Sequence, residues 1–225
     1  MLSIIIPCLN EAECLPDTLA ALAPARRRGA EVIVVDGGSD DATTDRAAPM
    51  ADAVISAPRG RASQMNAGAA RARGEIVLFL HADSRPPEAV DGLVIDGLKR
   101  AGRSWGRFDV SIDGEHPLLR AVERLMNWRS RLTGIATGDQ GIFVTRTLFT
   151  AAGKFPDIPL MEDVELSKQL KRFGPPLCLR HRIVTSGRRW EKRGVVRTIL
   201  LMWRLRLAYW LGADPRRLAM RYGGR

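Results

Sequence analysis

The sequence predicts a single α/β domain, with a mostly parallel central sheet flanked by helices and a helical extension at the C-terminus. Three observations predict it. Short runs of bulky apolar residues recur at 2–6, 32–35 and 76–80; they are too short for helices and apolar enough for strands buried on both faces. These runs alternate with segments of helical periodicity, the pattern of parallel strands joined by crossover helices. Each run is followed closely by an acid, Glu11, Asp36 or Asp83. Ligands of open parallel sheets bind beyond the carboxyl ends of the strands, so these acids are expected to gather at one edge.

The first strand covers residues 2–6, and Pro7 is expected to end it because proline donates nothing to a ladder. Asn10 and Glu11 follow in a loop, leaving Glu11 free to face the strand end. Pro16 suits the first turn of the next helix, whose apolar stripe is Leu15, Leu19 and Leu22. The second strand, 31–36, closes on Asp36. Gly37 and Gly38 turn the chain, and Ser39 or Asp40 is expected to cap a short helix. A short strand at 53–56 precedes a helix over 61–73, with Ala62, Met65, Ala69 and Ala72 on one face, Gly74 as its C-terminal cap and Arg71 and Arg73 at the negative end of its dipole. The strand 76–80 runs into His81, Ala82, Asp83 and Ser84. Asp83 either stands at the mouth of a site, gripping a metal ion, or caps the turn before Pro86 and Pro87.

The second half is less regular. A helix is expected over 86–100, a strand with Trp105 and Phe108 over 104–112, and a long helix over 116–132 carrying Leu119, Val122, Leu125, Met126 and Trp128. Residues 137–141 lead into a strand at 142–144; Asp139 and Gln140 there either line a pocket or shape the turn. Glu162 and Asp163 open a helix with Leu166, Leu170 and Phe173 apolar; the dipole favours carboxylates at that end, and capping alone would also account for them. A last strand, 177–184, contains His181, read as core or surface before ligand. Arg188, Arg189 and Trp190 follow in a basic turn able to hold phosphate oxygens. Residues 195–211 are apolar but interrupted by Arg197, Arg204 and Arg206, with Trp203, Tyr209 and Trp210 among them. Such a helix packs on the domain or a second subunit, the favoured reading, or lies on a membrane surface. The basic tail from 214 is expected to be mobile.

The 225 residues suit one large domain or a domain with an appendage. The charge balance, 35 Lys and Arg against 25 Asp and Glu, favours a polyanion, an anionic membrane surface or a phosphorylated substrate without choosing among them. Three cysteines with no Cys-x-x-Cys pair point to reduced thiols in a cytosolic setting, without a disulfide frame or zinc site. No secretory signal or membrane span is expected. A nucleic-acid binder is disfavoured by the lack of any zinc-finger spacing or RNA-recognition motif.

Five motifs stand in order: Ile-Ile-Pro-Cys-Leu-Asn-Glu (5–11), Val-Val-Asp-Gly-Gly-Ser-Asp-Asp (34–41), Gly-Arg-Ala-Ser-Gln-Met-Asn-Ala-Gly (60–68), His-Ala-Asp-Ser (81–84) and Met-Glu-Asp-Val-Glu-Leu (161–166). Together they resemble family 2 glycosyltransferases of the GT-A fold over about residues 2–185. The Gly-Asp-Gln-Gly element and the short length resemble a small bacterial subgroup sometimes found beside radical-SAM proteins. The resemblance implies a glycosyltransferase domain at 1–190, with a nucleotide-binding half at about 1–85 and an acceptor half at about 86–190, followed by an amphipathic helix and basic tail at 191–225. It implies inverting transfer from a nucleotide-diphosphate sugar, a UDP-sugar before a GDP-sugar, to a hydroxyl of a small or lipid acceptor. Pro7, Asn10, Glu11, Asp36, Arg61, Asn66, His81 and Ala82 would bind the nucleotide. Asp83 matches the last acid of the family's Asp-x-Asp motif and would hold Mg2+ or Mn2+ on the diphosphate. Asp163 matches the base that deprotonates the acceptor. Asp139, Gln140, Glu162, His181, Arg188, Arg189 and Trp190 are candidates for acceptor or phosphate contacts. Such an enzyme would work in the cytoplasm, at the inner membrane face if its acceptor is a lipid, with residues 195–211 meeting the membrane or a second copy. His81 stands where the family usually has an aspartate, and the Gln-x-x-Arg-Trp motif of processive members is absent. Two rivals remain: a nucleotidyltransferase on the same fold, disfavoured because residues 7–11 replace the usual Gly-rich loop, and a non-catalytic protein that binds nucleotide or polyanion.

Overall fold

A computed structural model describes residues 1–188, 190 and 194–223. The chain runs β1 (Leu2–Cys8), α1 (Leu15–Arg27), β2 (Glu31–Asp36), α2 (Thr43–Ala47), β3 (Ala53–Ser56), α3 (Arg61–Arg71), β4 (Ile76–Phe79) and β5 (Ser84–Arg85). It continues through α4 (Val90–Ala101), β6 (Trp105–Ile112), α5 (Pro117–Thr133), a 3-10 turn (Gly138–Gln140), β7 (Ile142–Thr145) and α6 (Arg146–Ala151). It ends with α7 (Glu162–Lys171), β8 (Leu177–Thr185), α8 (Val195–Trp210) and α9 (Pro215–Gly223).

Among the described residues the strands form one sheet in the order β3-β2-β1-β4-β7-β6-β8-β5. β1 to β4 are parallel throughout, as the strand–helix alternation predicts. β7 enters antiparallel between β4 and β6, and β5 pairs antiparallel with β8 at the edge. Alternate residues of each central strand serve opposite faces. Ile4, Ile6, Val32 and Val34 pack with Leu15, Leu19 and Leu22 of α1 and with Val94 and Leu98 of α4. Ile5, Ile33 and Val35 pack with Met65 and Ala69 of α3 and Leu166 and Leu170 of α7. That two-sided burial is why these strands read as unbroken apolar runs.

Several expectations are corrected. Pro7 does not end β1; it pairs in register with Val35, and the strand continues to Cys8. The Ile5 carbonyl accepts from Leu80 on the β4 side and the Cys8 carbonyl accepts from Gly37 on the β2 side. Pro7, in step with Ile5, therefore turns towards the side where β4 has already ended, and its missing N–H breaks no ladder bond. Gly74 does not cap α3, which stops at Ala72 in an extended conformation. A side chain at 74 would lie 2.7 Å from Ser3 Oγ, so glycine serves a close approach to β1. The start of α2 is held by Asp41, whose Oδ1 accepts from the Thr43 N–H, rather than by Ser39 or Asp40. Phe173 lies beyond α7 and is exposed, as are Leu125 and Trp128 on α5. Over residues 214–223 the tail is not loose: α9 seats Leu218 against Leu160, Met161 and Leu205, and Asp214 accepts from the Arg216 N–H at its start; residues 224–225 lie outside the described residues.

Candidate active site

A cavity of about 500 Å3 opens at the carboxyl ends of β1 and β4. Pro7, Cys8 and Glu11 reach it from β1 and the loop after it, and His81, Ala82 and Asp83 from the end of β4. Arg59, Gly60 and Arg61 bring the N-terminus of α3, where an anion is favoured. The 3-10 turn supplies Gly138 and Asp139, and the start of α7 supplies Glu162 and Asp163. Thr198, Met202 and Arg206 of α8 and Tyr222 of α9 close the far side.

The α7 end is set by its backbone. Met161, the N-cap, takes the left-handed conformation at φ 70°, a costly choice for a long side chain that turns the chain sharply into Glu162 and Asp163. Asp163 Oδ2 accepts from the Gly138 N–H at 2.8 Å, tying the helix start to the 3-10 turn. Gly138 has no room for a side chain, since a Cβ would lie 2.4 Å from His81 Nε2. The other ring nitrogen of His81, Nδ1, is 3.2 Å from Asp139 Oδ1. Burial opposes the charge of Asp139, but the His81 bond and the charges of His81, Arg61 and Arg206 outweigh it and hold its carboxyl down at about 2. Glu162 is the opposite case. It is 5% exposed, and burial first, then the neighbouring Asp163 charge, pushes its carboxyl up to about 7, against the pull of Arg61. Asp139 and Glu162, both lining the one cavity, are thus pushed in opposite directions by their surroundings.

Glu11, half-buried, accepts from Cys14 Sγ at 2.8 Å and from Arg188 at 3.3 Å. Arg188 is committed there and does not line the cavity, whereas Trp190 does. Arg189 lies outside the described residues. Asp36 is buried, and its carboxylate accepts from the Gly38 and Ser39 N–H groups and from Ser39 Oγ, shaping the turn beyond β2 rather than the cavity wall. Asn10 ties the facing loop to that turn: its N–H donates to Ser39 Oγ, and its Oδ1 accepts from the Asp40 N–H. Asn66 is spent on the Phe155 backbone, donating to its carbonyl and accepting from its N–H. Gln140 is fully buried, accepts from the Thr137 N–H and faces Asn127, away from the cavity. His181 is exposed on β8, outside the lining. Of the three strand-end acids, the cavity brings together Glu11 and Asp83 but not Asp36.

Sequence reasoning passed over Gln64, although it lies inside a quoted motif. It is buried, and its Nε2 donates to both the Cys8 and Val35 carbonyls, bracing the ends of β1 and β2 at the cavity floor. A polar residue on the buried face of α3 was the available signal. Arg206, Met202 and Thr198 were also missed as lining residues; an arginine inside the apolar run 195–211 was the clue.

Among the described residues no group of three His, Cys, Asp or Glu side chains could hold a metal ion by itself. Asp83 is one of five carboxylates among the described residues that line the cavity, with Glu11, Asp139, Glu162 and Asp163, and Arg59, Arg61 and Arg206 line it too. That donor set fits a hard cation shared with a diphosphate, which typically takes one or two carboxylates and completes its shell with phosphate oxygens and water.

A cavity at the carboxyl ends of parallel strands, with acids on two walls and arginines at a helix N-terminus, on this sheet, is the architecture of a GT-A glycosyltransferase. The chain belongs to glycosyl transferase family 2, whose model matches residues 3–149. An undecaprenyl-phosphate 4-deoxy-4-formamido-L-arabinose transferase from Pseudomonas fluorescens (strain Pf0-1) is 31% identical over 157 residues, covering 62% of this chain and 44% of the relative. The chain thus spans less than half the length of that relative. The mannosyltransferase PcManGT from Pyrobaculum calidifontis, solved with GDP-Man and Mn2+, has a TM-score of 0.64 at 25% identity, covering 92% of this chain and 60% of that one. S. aureus TarS in complex with UDP shares the fold, with a TM-score of 0.68 at 16% identity over 82% of this chain and 60% of that one.

Proposed function

We propose that the protein is an inverting, metal-dependent glycosyltransferase moving a sugar from a nucleotide-diphosphate sugar to a hydroxyl of a small or lipid acceptor. The observation that carries this reading is the division of one cavity into two acidic walls, with Asp83 at the end of β4 and Glu162 and Asp163 at the start of α7, and with Arg59 and Arg61 lining it too. The donor diphosphate lies by the α3 N-terminus. The anomeric carbon–oxygen bond breaks with its electron pair leaving on the diphosphate. The acceptor oxygen bonds the anomeric carbon from the opposite face, and its proton passes to Asp163. Asp83 would hold Mg2+ or Mn2+, which when bound would supply charge stabilisation to the departing diphosphate. Asp163 suits the base because the Gly138 and Val164 N–H groups each hold one of its oxygens, orienting a carboxylate that lines the cavity.

A UDP-sugar is the first choice of donor and a GDP-sugar the second; PcManGT was solved with GDP-Man and TarS with UDP. The lipid form of the acceptor draws support from the undecaprenyl-phosphate relative. With a lipid acceptor the enzyme works at the cytoplasmic face of the membrane. The nucleotidyltransferase alternative has no feature of the cavity in its favour.

The test is release of nucleoside diphosphate from a panel of nucleotide sugars with Mn2+, comparing wild type with Asp163→Asn. Loss of a general base slows transfer by roughly 10²–10⁴-fold, while donor affinity is retained. Equal turnover by the variant would remove Asp163 from the mechanism, and no turnover of any nucleotide sugar by wild type would favour a binding protein.

A further inference from the structure

We propose that the outer faces of α5 and α8 together form a docking surface for an anionic lipid bilayer, with both helices lying along it. Met1 and Phe173 apart, every exposed large apolar side chain among the described residues lies on α5 or between Val196 and Met220. On α8 they are Val196, Leu200, Trp203, Leu207 and Trp210, spaced by four, three, four and three residues, which makes one stripe down one side of a helix. On α5 they are Leu118, Leu125, Trp128 and Leu132, again on one side. The two helices touch directly, Val122 and Met126 of α5 packing with Val195 and Ile199 of α8, so the stripes are neighbours. The other side of α8 is already satisfied: Leu205 packs against Leu160 and Met161, and Tyr209 Oη donates to Glu165 of α7 at 2.8 Å. The exposed stripe is therefore surplus to the fold, and an exposed apolar surface of this extent marks a partner.

Charge selects the partner. Arg197 and Arg204 stand exposed beside the α8 stripe, and Arg216, Arg217 and Arg221 are exposed on α9. Between residues 195 and 223 the one acid is Asp214. Arg124, exposed on α5, has no acidic partner among the described residues. Tryptophans and leucines with arginines on the flanks are the makeup of a helix lying in a membrane interface. A second copy would bring arginines against arginines, and no acidic counterpart on this face would offset them. Among the described residues no helix is long and apolar enough to cross a membrane, so the contact lies along the surface. The inner sides of the same helices line the cavity, through Met126, Thr198, Met202 and Arg206. Docking would place that cavity roughly one helix diameter, about 10 Å, from the headgroups.

The inference goes beyond the transfer reaction and needs none of its residues. It is tested by flotation of the full chain with vesicles of phosphatidylcholine alone or mixed with phosphatidylglycerol, at low and high salt and without nucleotide. Two paired variants are compared, Trp203→Ser with Leu207→Ser and Trp128→Ser with Leu132→Ser, each checked for folding by its melting temperature. Wild type should float with the anionic vesicles and less so at high salt, and each pair should lose roughly tenfold or more of the bound fraction, the scale set by two unburied large side chains. No flotation at low salt would overturn the proposal, as would full retention of the α5 pair. A concentration-dependent dimer that both pairs abolish, with no flotation, would assign the face to a second copy instead. Donor turnover measured on the same preparations separates this outcome from failure of the proposed reaction.

Discussion

At the scale of single residues, the carboxyls of the cavity are unlike one another for reasons their neighbours supply. Asp139 has His81 at 3.2 Å and is held ionised to about pH 2. Glu162 has burial and the Asp163 charge against it and is pushed up to about 7. A raised carboxyl binds its proton more tightly in the folded chain than in the unfolded one, whose value is 4.5. Its stabilising proton is present below about pH 4.5 in both states, and stability falls as pH rises from there through about 7. Glu162→Gln removes that penalty. The variant should gain stability over wild type above pH 7, on the order of 1–3 kcal/mol, with no gain near pH 4.5. Denaturant melts at the two pH values check this; a gain of equal size at both would mean that packing, not ionisation, had changed.

At the scale of elements, β6 carries a charged knot inside an otherwise apolar sheet. Arg107 is fully buried and bonds Asp109, which also receives Arg131 from α5. The knot sits where the β6–β8 register slips between Phe108 and Asp109. The guanidinium Nε of Arg107 has no partner, so the carboxylate of Asp109 is what compensates its charge. Asp109→Ala leaves a cation uncompensated in the core, and stability should fall by roughly 3–5 kcal/mol, read as a lower urea midpoint. A change below about 0.5 kcal/mol, the scale of a surface substitution, would show that water already compensates Arg107. Arg107, Asp109 and Arg131 do not line the cavity; the knot ties β6 to α5, which reaches the cavity through Met126.

At the scale of the whole molecule, the main strands and helices of both halves were legible, but how the second-half strands pair was not. β1 to β4 are buried on both faces, so their apolar runs and the helices between them announce a parallel sheet. β5 spans two residues and pairs with β8 about a hundred positions later, and β7 runs antiparallel between strands far away in sequence. Such pairings leave no local periodicity. The same holds for the site: Glu11, Asp83 and Asp163 follow from strand ends and a helix start, whereas the commitments of Asn66 to Phe155 and of Gln140 to the interior are tertiary. α8 was legible as amphipathic, but which side would stay bare depended on where α5 and α7 lie. The account as a whole makes the α3 N-terminus and Asp83 one donor site. The measurement that tests it most directly is a thermal-shift panel of nucleoside diphosphates and nucleotide sugars, with and without Mn2+, on wild type and Asp83→Ala. At ~100 times its dissociation constant a ligand should stabilise by about 2.7 kcal/mol. The account predicts that one nucleotide shifts the wild type, with Mn2+ required, and that the variant loses the shift. A shift of equal size in the variant, or none with any nucleotide, would contradict it.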